Sequence, residues 1–121
     1  MKEVIQDSFT MKLYTHHIEL FIKPETHLEN SVFFQILHVK ISHYDDPVGL
    51  IVVREGQNHY YSIDPLIFLK FKTQFETHLK WYALVSPNKS GFQNLVYLRQ
   101  MTNLKVYSFT NYEDALSLIE E

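Results

Sequence analysis

Phe9, Met11 and Leu13 alternate with Thr10, Lys12 and Tyr14, and Ile18, Leu20 and Ile22 alternate with Glu19, Phe21 and Lys23. A period of two on both sides of Thr15-His16-His17 predicts a β-hairpin with one buried face. The turn holds no glycine, which predicts a loop looser than a two-residue primed turn. Pro24 ends the second strand, and Thr26-His27-Leu28-Glu29 then has the form of a capping box. In such a box the Thr oxygen accepts from the third helical amide and the Glu carboxylate reaches back to the cap amide. Leu28, Val32, Phe33, Ile36, Leu37, Ile41 and Tyr44 follow at helical spacing. The helix is expected to run to about Tyr44, where Asp45-Asp46-Pro47 stops it. Acidic groups at that end oppose the helix dipole, so the last turn is expected to fray.

Gly49-Leu50-Ile51-Val52-Val53 is a short, unbroken apolar run, rich in β-branched residues. It predicts a strand buried on both faces, as in a parallel sheet. A loop from Gln57 to Ser62 leads to Asp64-Pro65, a cap and a first helical residue in one. The helix that follows is expected to reach about His78. Its first two turns crowd together Leu66, Ile67, Phe68, Leu69 and Phe71. Four consecutive apolar residues exceed one helical stripe, so part of this turn must meet something besides the sheet. Lys80 to Val85 reads as another central strand, and Ser86-Pro87-Asn88-Lys89 as a turn. Ser90-Gly91-Phe92-Gln93 is a second capping box, opening a short helix with Phe92, Leu95, Val96, Leu98 and Met101. Leu104 to Phe109 is the last strand, with Lys105 and Ser108 lowering its burial. Thr110-Asn111-Tyr112-Glu113 is a third capping box, for a final helix through Ala115, Leu116, Leu118 and Ile119. The predicted order is β-β-α-β-α-β-α-β-α: one α/β domain over residues 1–121, with a mixed, mostly parallel sheet and right-handed crossovers.

A chain of 121 residues is long enough to bury most of its apolar surface in one domain. Its net charge of -3 argues against nucleic acid as a partner, because such binders carry a basic excess or stripe. With no cysteine, disulfides, thiolate catalysis and cysteine-based zinc sites are excluded. Met1 to Asp7 has no apolar core of a secretory signal, and no apolar run approaches the roughly 18 residues that span a bilayer. The expected address is therefore cytoplasmic, with no transmembrane segment.

Candidate chemistry is sparse. There are seven histidines, but His16 and His17 are neighbours that point opposite ways along an extended chain. His38 and His43 are five apart and do not share a helix face. Without three or four converging ligands or an HExxH pattern, no metal site is expected. Three glycines, Gly49, Gly56 and Gly91, leave no room for a dinucleotide turn or a Walker loop, so no cofactor is expected. Pro87-Asn88-Lys89-Ser90-Gly91 could hold an anion at a helix start, although capping explains the same residues. No serine sits in a G-x-S-x-G elbow, and Asp45-Asp46 and Glu120-Glu121 lie at helix ends where solvent is expected. No catalytic residue is assigned.

The closing stretch, Val106-Tyr107-Ser108-Phe109 followed by Glu113-Asp114-Ala115-Leu116-Ser117-Leu118-Ile119, resembles the end of SpoIIAA-like (STAS-type) domains. The order of elements extends that resemblance over nearly the whole chain. It implies a small, non-enzymatic cytoplasmic domain that works through protein contact. In the anti-anti-sigma members, a serine at the start of the helix after the third strand is phosphorylated by a partner kinase. Ser62 and Asp64 stand at the matching place, in Tyr61-Ser62-Ile63-Asp64 rather than an Asp-Ser-Ser-Gly type run. Simple capping of the helix by Ser62 and Asp64 is the favoured account of these residues.

What remains is the apolar excess. Tyr60 and Tyr61 in the loop, with Leu66, Ile67 and Phe68 on the next helix, form the candidate binding surface. A protein partner or self-association into a dimer is the first expectation. The alternative is a carrier or sensor holding a lipid-like or other apolar small molecule between that helix and the sheet.

Overall fold

The computed structural model describes residues 1–54, 62–64, 66–87 and 92–119, with Ser62 described in its backbone alone. Strands β1 (Lys2–Ile5), β2 (Phe9–Leu13) and β3 (His17–Ile22) form an antiparallel meander. β5 (Val48–Val53), β7 (Leu79–Val85) and β8 (Lys105–Phe109) extend the sheet, each parallel to its neighbour and β5 parallel to β3. The order across the sheet is β1-β2-β3-β5-β7-β8. Two residue pairs, β4 (His27–Leu28) and β6 (Ser62–Ile63), make a separate parallel ladder.

The α/β class and the mixed sheet agree with the sequence pattern. β5 is buried at all six positions, as its apolar run predicts, because it has a strand on each side and cover on both faces. The hairpin also forms, with Leu13 opposite Ile18 and the Tyr14 N–H donating to the His17 carbonyl at 2.9 Å. Glu25 is the one non-glycine residue with positive φ among the described residues. Thr15 and His16 therefore do not adopt a primed turn, which would need φ > 0 at its first central residue.

Four differences have local causes. β1 was not expected: its residues are mostly exposed, so it carries no alternation to read. Thr26 to Glu29 is not a capping box, because His27 and Leu28 are taken up by pairing with Ser62 and Ile63. Helix α1 (Asn30–His43) starts after it, with Glu29 as an N-cap whose side chain makes no capping bond. The end of α1 is held rather than frayed: the Tyr44 N–H donates to the Lys40 carbonyl, and the Tyr44 hydroxyl donates to the Tyr14 carbonyl at 2.6 Å. The single helix expected from Asp64 to His78 is two, α2 (Leu66–Lys70) and α3 (Lys72–His78), joined at Phe71. Phe71 leaves helical geometry at φ -109° and ψ 25° while its ring stacks on Phe33 at 4.2 Å.

α1 to α3 and α4 (Gln93–Met101) lie on one face of the sheet. They bury Phe33, Phe68, Phe75 and Leu98 against Leu20, Leu50, Val52, Tyr82 and Leu84. Among the described residues, the opposite face carries α5 (Tyr112–Ala115) and the 3-10 turn Leu116–Leu118, packed through Ala115 on Ile51, Val53, Ala83 and Val85. Asn111, not Thr110, caps α5, its side chain accepting from the Asp114 N–H at 2.9 Å. No helix among the described residues is long and apolar enough to cross a membrane.

Candidate functional site

The expected surface around α2 divides in two. Leu66 and Leu69 are 60% and 56% exposed. They stand three residues apart and so share the outer side of the helix. Ile67 and Phe68 are not on a surface: they are 4% and 2% exposed and belong to the core. Side chains alternate in and out as the helix turns, so one apolar run supplies both layers. Asp64 is exposed and caps α2, its carboxylate accepting from the Leu66 N–H at 3.0 Å. Tyr60, Tyr61, Pro65 and the Asn88-Lys89-Ser90-Gly91 segment lie outside the described residues, as does the side chain of Ser62. On α1, Phe34 is 52% exposed and meets the Phe71 ring edge-on at 5.2 Å. Ile41, expected in the core stripe, is exposed.

The space between helices and sheet is small. One cavity of about 50 Å³ lies among Leu20, Leu28, Phe33, Ile63, Phe68 and Tyr82. Another of about 50 Å³ is lined by Met11, Phe33, Lys40, Phe75 and His78. Ligand sites usually measure roughly 300–1,000 Å³. Among the described residues, these two cavities between helices and sheet are smaller than that range. Inside the second cavity Lys40 is buried, with Nζ 3.2 Å from His78 Nδ1. Burial lowers the Lys40 pKa against the opposing pull of Asp46 and Asp45, and burial together with the Lys40 charge lowers that of His78.

The larger space is on the other face, at the carboxyl ends of the parallel strands. An open groove of about 530 Å³ runs there, lined by Lys12, Tyr14, Glu19, Phe21, Arg54 and Tyr112, with Val53 and Val85 among its other walls. In α/β sheets this edge is where ligands bind, because the loops and strand ends there are free to carry specific groups. Register builds the site. Lys12 of β2 stands opposite Glu19 of β3, and Glu19 opposite Ile51 of β5. One row toward the carboxyl end, Phe21 stands opposite Val53, and Val53 opposite Val85.

Glu19 is only 3% exposed. The Tyr112 hydroxyl of α5 donates to its Oε2 in a short hydrogen bond. His17 Nε2 is 3.7 Å from the same oxygen, too far for a hydrogen bond, and has no hydrogen-bond partner among the described residues. The His17 ring is buried flat against Tyr14, their centroids 4.5 Å apart. The Lys12 ammonium sits over the Phe21 ring at 5.3 Å and makes no ion pair with Glu19. Burial pushes the Glu19 pKa up, but contact with His17, the Tyr112 hydrogen bond and the Lys12 charge together hold it below the usual carboxylate value. Glu19 therefore stays ionised at neutral pH inside an aromatic wall. Burial and the carboxylate push the Tyr112 pKa well above the usual tyrosine value.

Comparison of the chain with protein-family models, with curated proteins and with solved structures finds no match. Among the described residues, no group of three or more His, Asp or Glu side chains could hold a metal ion. Sequence reasoning missed the groove because Glu19 and Tyr112 are 93 residues apart. The available signal was Glu19 itself, a carboxylate in the middle of a strand that is otherwise nearly all apolar.

Proposed function

We propose that the chain is a non-enzymatic interaction domain of the SpoIIAA-like kind, binding a second copy of itself through the outer side of α2. The observation that carries this reading is the pair Leu66 and Leu69, more than half exposed on adjacent turns. Phe34 adds a third large apolar side chain on the same layer, joined to α2 through Phe71. Monomeric surfaces carry single apolar residues freely, whereas side-by-side pairs are enriched where a partner docks. A meander followed by parallel strands in chain order, with the crossover helices on one face, supports the SpoIIAA-like assignment. The contact needs no phosphate: Asp64 is engaged in capping α2.

Sedimentation velocity over a concentration series tests this reading. The wild-type chain should pass from monomer to dimer, and a Leu66→Glu, Leu69→Glu variant should stay monomeric with an unchanged circular dichroism spectrum. A wild-type chain that remains monomeric throughout, or a variant that still dimerises, overturns the reading. A second reading, binding of a small molecule, is favoured by the groove of about 530 Å³ rather than by the helix–sheet interior.

A further inference from the structure

We infer that the small cavity between α1, α3 and the sheet captures a short aliphatic aldehyde, which condenses with the amine of Lys40 to an imine. This site is separate from the contact through α2 and from the groove on the other face of the sheet.

Helix α1 turns Lys40 inward with Val32, Phe33 and Val39. The side chain is 5% exposed, whereas a lysine ordinarily carries its ammonium out to water. It forms no ion pair among the described residues. Its Nζ meets one polar atom there, His78 Nδ1 of α3 at 3.2 Å. An ammonium has three N–H groups to satisfy, so a site with one partner suits the neutral amine better. Burial acts in that direction on both groups, lowering the pKa of Lys40 against Asp46 and Asp45 and lowering that of His78. The neutral amine is the nucleophilic form of lysine, and an apolar surrounding is one way in which proteins activate it.

The cavity of about 50 Å³ decides what the amine can meet. A water needs about 10–15 Å³ of such space, so about three heavy atoms fit. Met11, Ile18, Phe33, Leu50 and Phe75 wall it with apolar groups. Leu37, Gln74 and His78 border it and are half-exposed, so it opens to solvent between α1 and α3. Such walls leave a carboxylate, a phosphate or a polyol without partners, and the size excludes a branched or aromatic body. A covalent bond then supplies the hold that so small a buried area cannot.

The chemistry balances within the cavity. The Nζ lone pair attacks the carbonyl carbon, a C–N bond forms and the C=O π bond breaks. His78 Nδ1 takes a proton from the nitrogen and returns it to the oxygen. The nitrogen then expels that oxygen, which leaves as water with the second amine proton passed by the same imidazole. Amine and aldehyde become imine and water, and an uncharged group stands where the ammonium had been. A carbamate, the product with carbon dioxide, would put an anion among the same apolar walls and is disfavoured.

Acetaldehyde labelled with carbon-13 at its carbonyl is the probe, mixed at about 1 mM with the full chain at pH 7 and followed by NMR. An imine carbon signal should appear at close to one per chain, at least tenfold above the sum from the exposed lysines, since each pKa unit lost raises the neutral fraction tenfold. The shifted amides should lie around Leu37, Lys40, Gln74 and His78. Lys40→Met keeps an apolar side chain of similar length and should abolish the signal, with the amide spectrum of the same sample reporting the fold. The branched 2,2-dimethylpropanal should give no signal at this site in the unaltered chain. His78→Gln should slow the build-up of the imine about a hundredfold, the effect of losing a positioned proton acceptor. No imine signal in the unaltered chain, a signal that survives Lys40→Met, equal signals from the two aldehydes, or an unchanged rate in His78→Gln overturns the assignment.

Discussion

Tyr112→Phe removes one oxygen atom and tests how the second face of the sheet is held. The hydroxyl is the hydrogen-bond donor to Glu19 among the described residues, since His17 Nε2 stands off at 3.7 Å. Hydrogen bonds to a charged group contribute roughly 1.5–3 kcal/mol, and stranding a buried carboxylate costs a similar amount. The ring itself stays, so its packing on the sheet changes little. Water entering the open groove can replace part of the lost bond, which puts the expected loss at about 1.5–2 kcal/mol. For a chain of this size that corresponds to a fall in melting temperature of about 5–10 °C. A double-mutant cycle with Glu19→Gln should then show coupling of about 1 kcal/mol or more.

The loss should depend on pH in a fixed direction. Burial raises the Glu19 pKa, but His17, Tyr112 and Lys12 lower it more, so its folded value lies below the ordinary 4.5. A lowered pKa gives stability that is fully present above 4.5 and disappears as pH falls through the folded value. Tyr112→Phe removes one of the lowering contacts and moves the folded value toward 4.5, so the variant should lose less stability than the wild type on acidification. The gap between the two proteins should narrow once Glu19 is protonated in both. At the alkaline end the sign reverses. The Tyr112 pKa is raised above its ordinary 10.0 by burial and by Glu19, so its contribution is complete below 10 and declines as pH rises through the folded value. Urea denaturation from pH 7 down to about pH 3, with both proteins in parallel, measures this. Equal stability at pH 7, or a gap that does not change with pH, would refute the role given to this bond.

Gly49→Ala places a methyl group inside the indole ring of Trp81, the cross-strand neighbour that lies over it. The ring must leave, at a cost of about 1–3 kcal/mol. Because Trp81 is the single tryptophan of the chain, its fluorescence should report the move, and an unchanged spectrum with unchanged stability would contradict the packing. Lys40→Met replaces a lysine that is 5% exposed with an apolar side chain of similar length, and should stabilise the fold by about 1 kcal/mol at pH 7. The folded pKa of His78 is lowered by burial and by Lys40. Its contribution is therefore complete above 6.5 and lost as pH falls through the lowered value, and the variant should lose less stability between pH 7 and pH 5. A variant less stable than wild type at both pH values would count against a strained lysine.

Where a residue's environment was set by its neighbours in sequence, the pattern was readable. The meander strands β2 and β3, the apolar run of β5 and the stop after Tyr44 all depend on local periodicity, on proline or on capping. Where it was set by residues far away, the pattern misled. The two-residue ladder of β4 and β6 joins positions 27 and 62, and no local signal announces it. Alternation along β3 assigned Glu19 to solvent, yet it is buried because α5 returns from 93 residues later to cover that row. The groove was invisible for the same reason: it draws together the hairpin around residues 12–21, the ends of β5 and β7, and the start of α5, which lie far apart in sequence. The rule that polar positions face water held for Thr10 and Lys12 on β2, the second strand from the edge, which are part-exposed, and failed one strand further in.

The apolar surplus of α2 is the clearest case of a correct reading placed on partly wrong residues. Five large apolar side chains between Leu66 and Phe71 exceed what one stripe can bury, and two of them do remain outside. Helical geometry decides which. Ile67, Phe68 and Phe71 fall at intervals of one, three and four and turn together toward Phe33, Phe75 and the sheet, whereas Leu66 and Leu69 point away from it. Phe68→Glu would therefore place a charge in the core, where an unpaired carboxylate costs several kcal/mol. Loss of a dimer in that variant would report unfolding rather than a contact. Only the outer pair separates the two effects: a charge at Leu66 or Leu69 keeps its water in the monomer and loses it in a complex. A drop in self-association at constant thermal stability therefore locates the contact on α2, and a drop in both shows that the outer pair is structural.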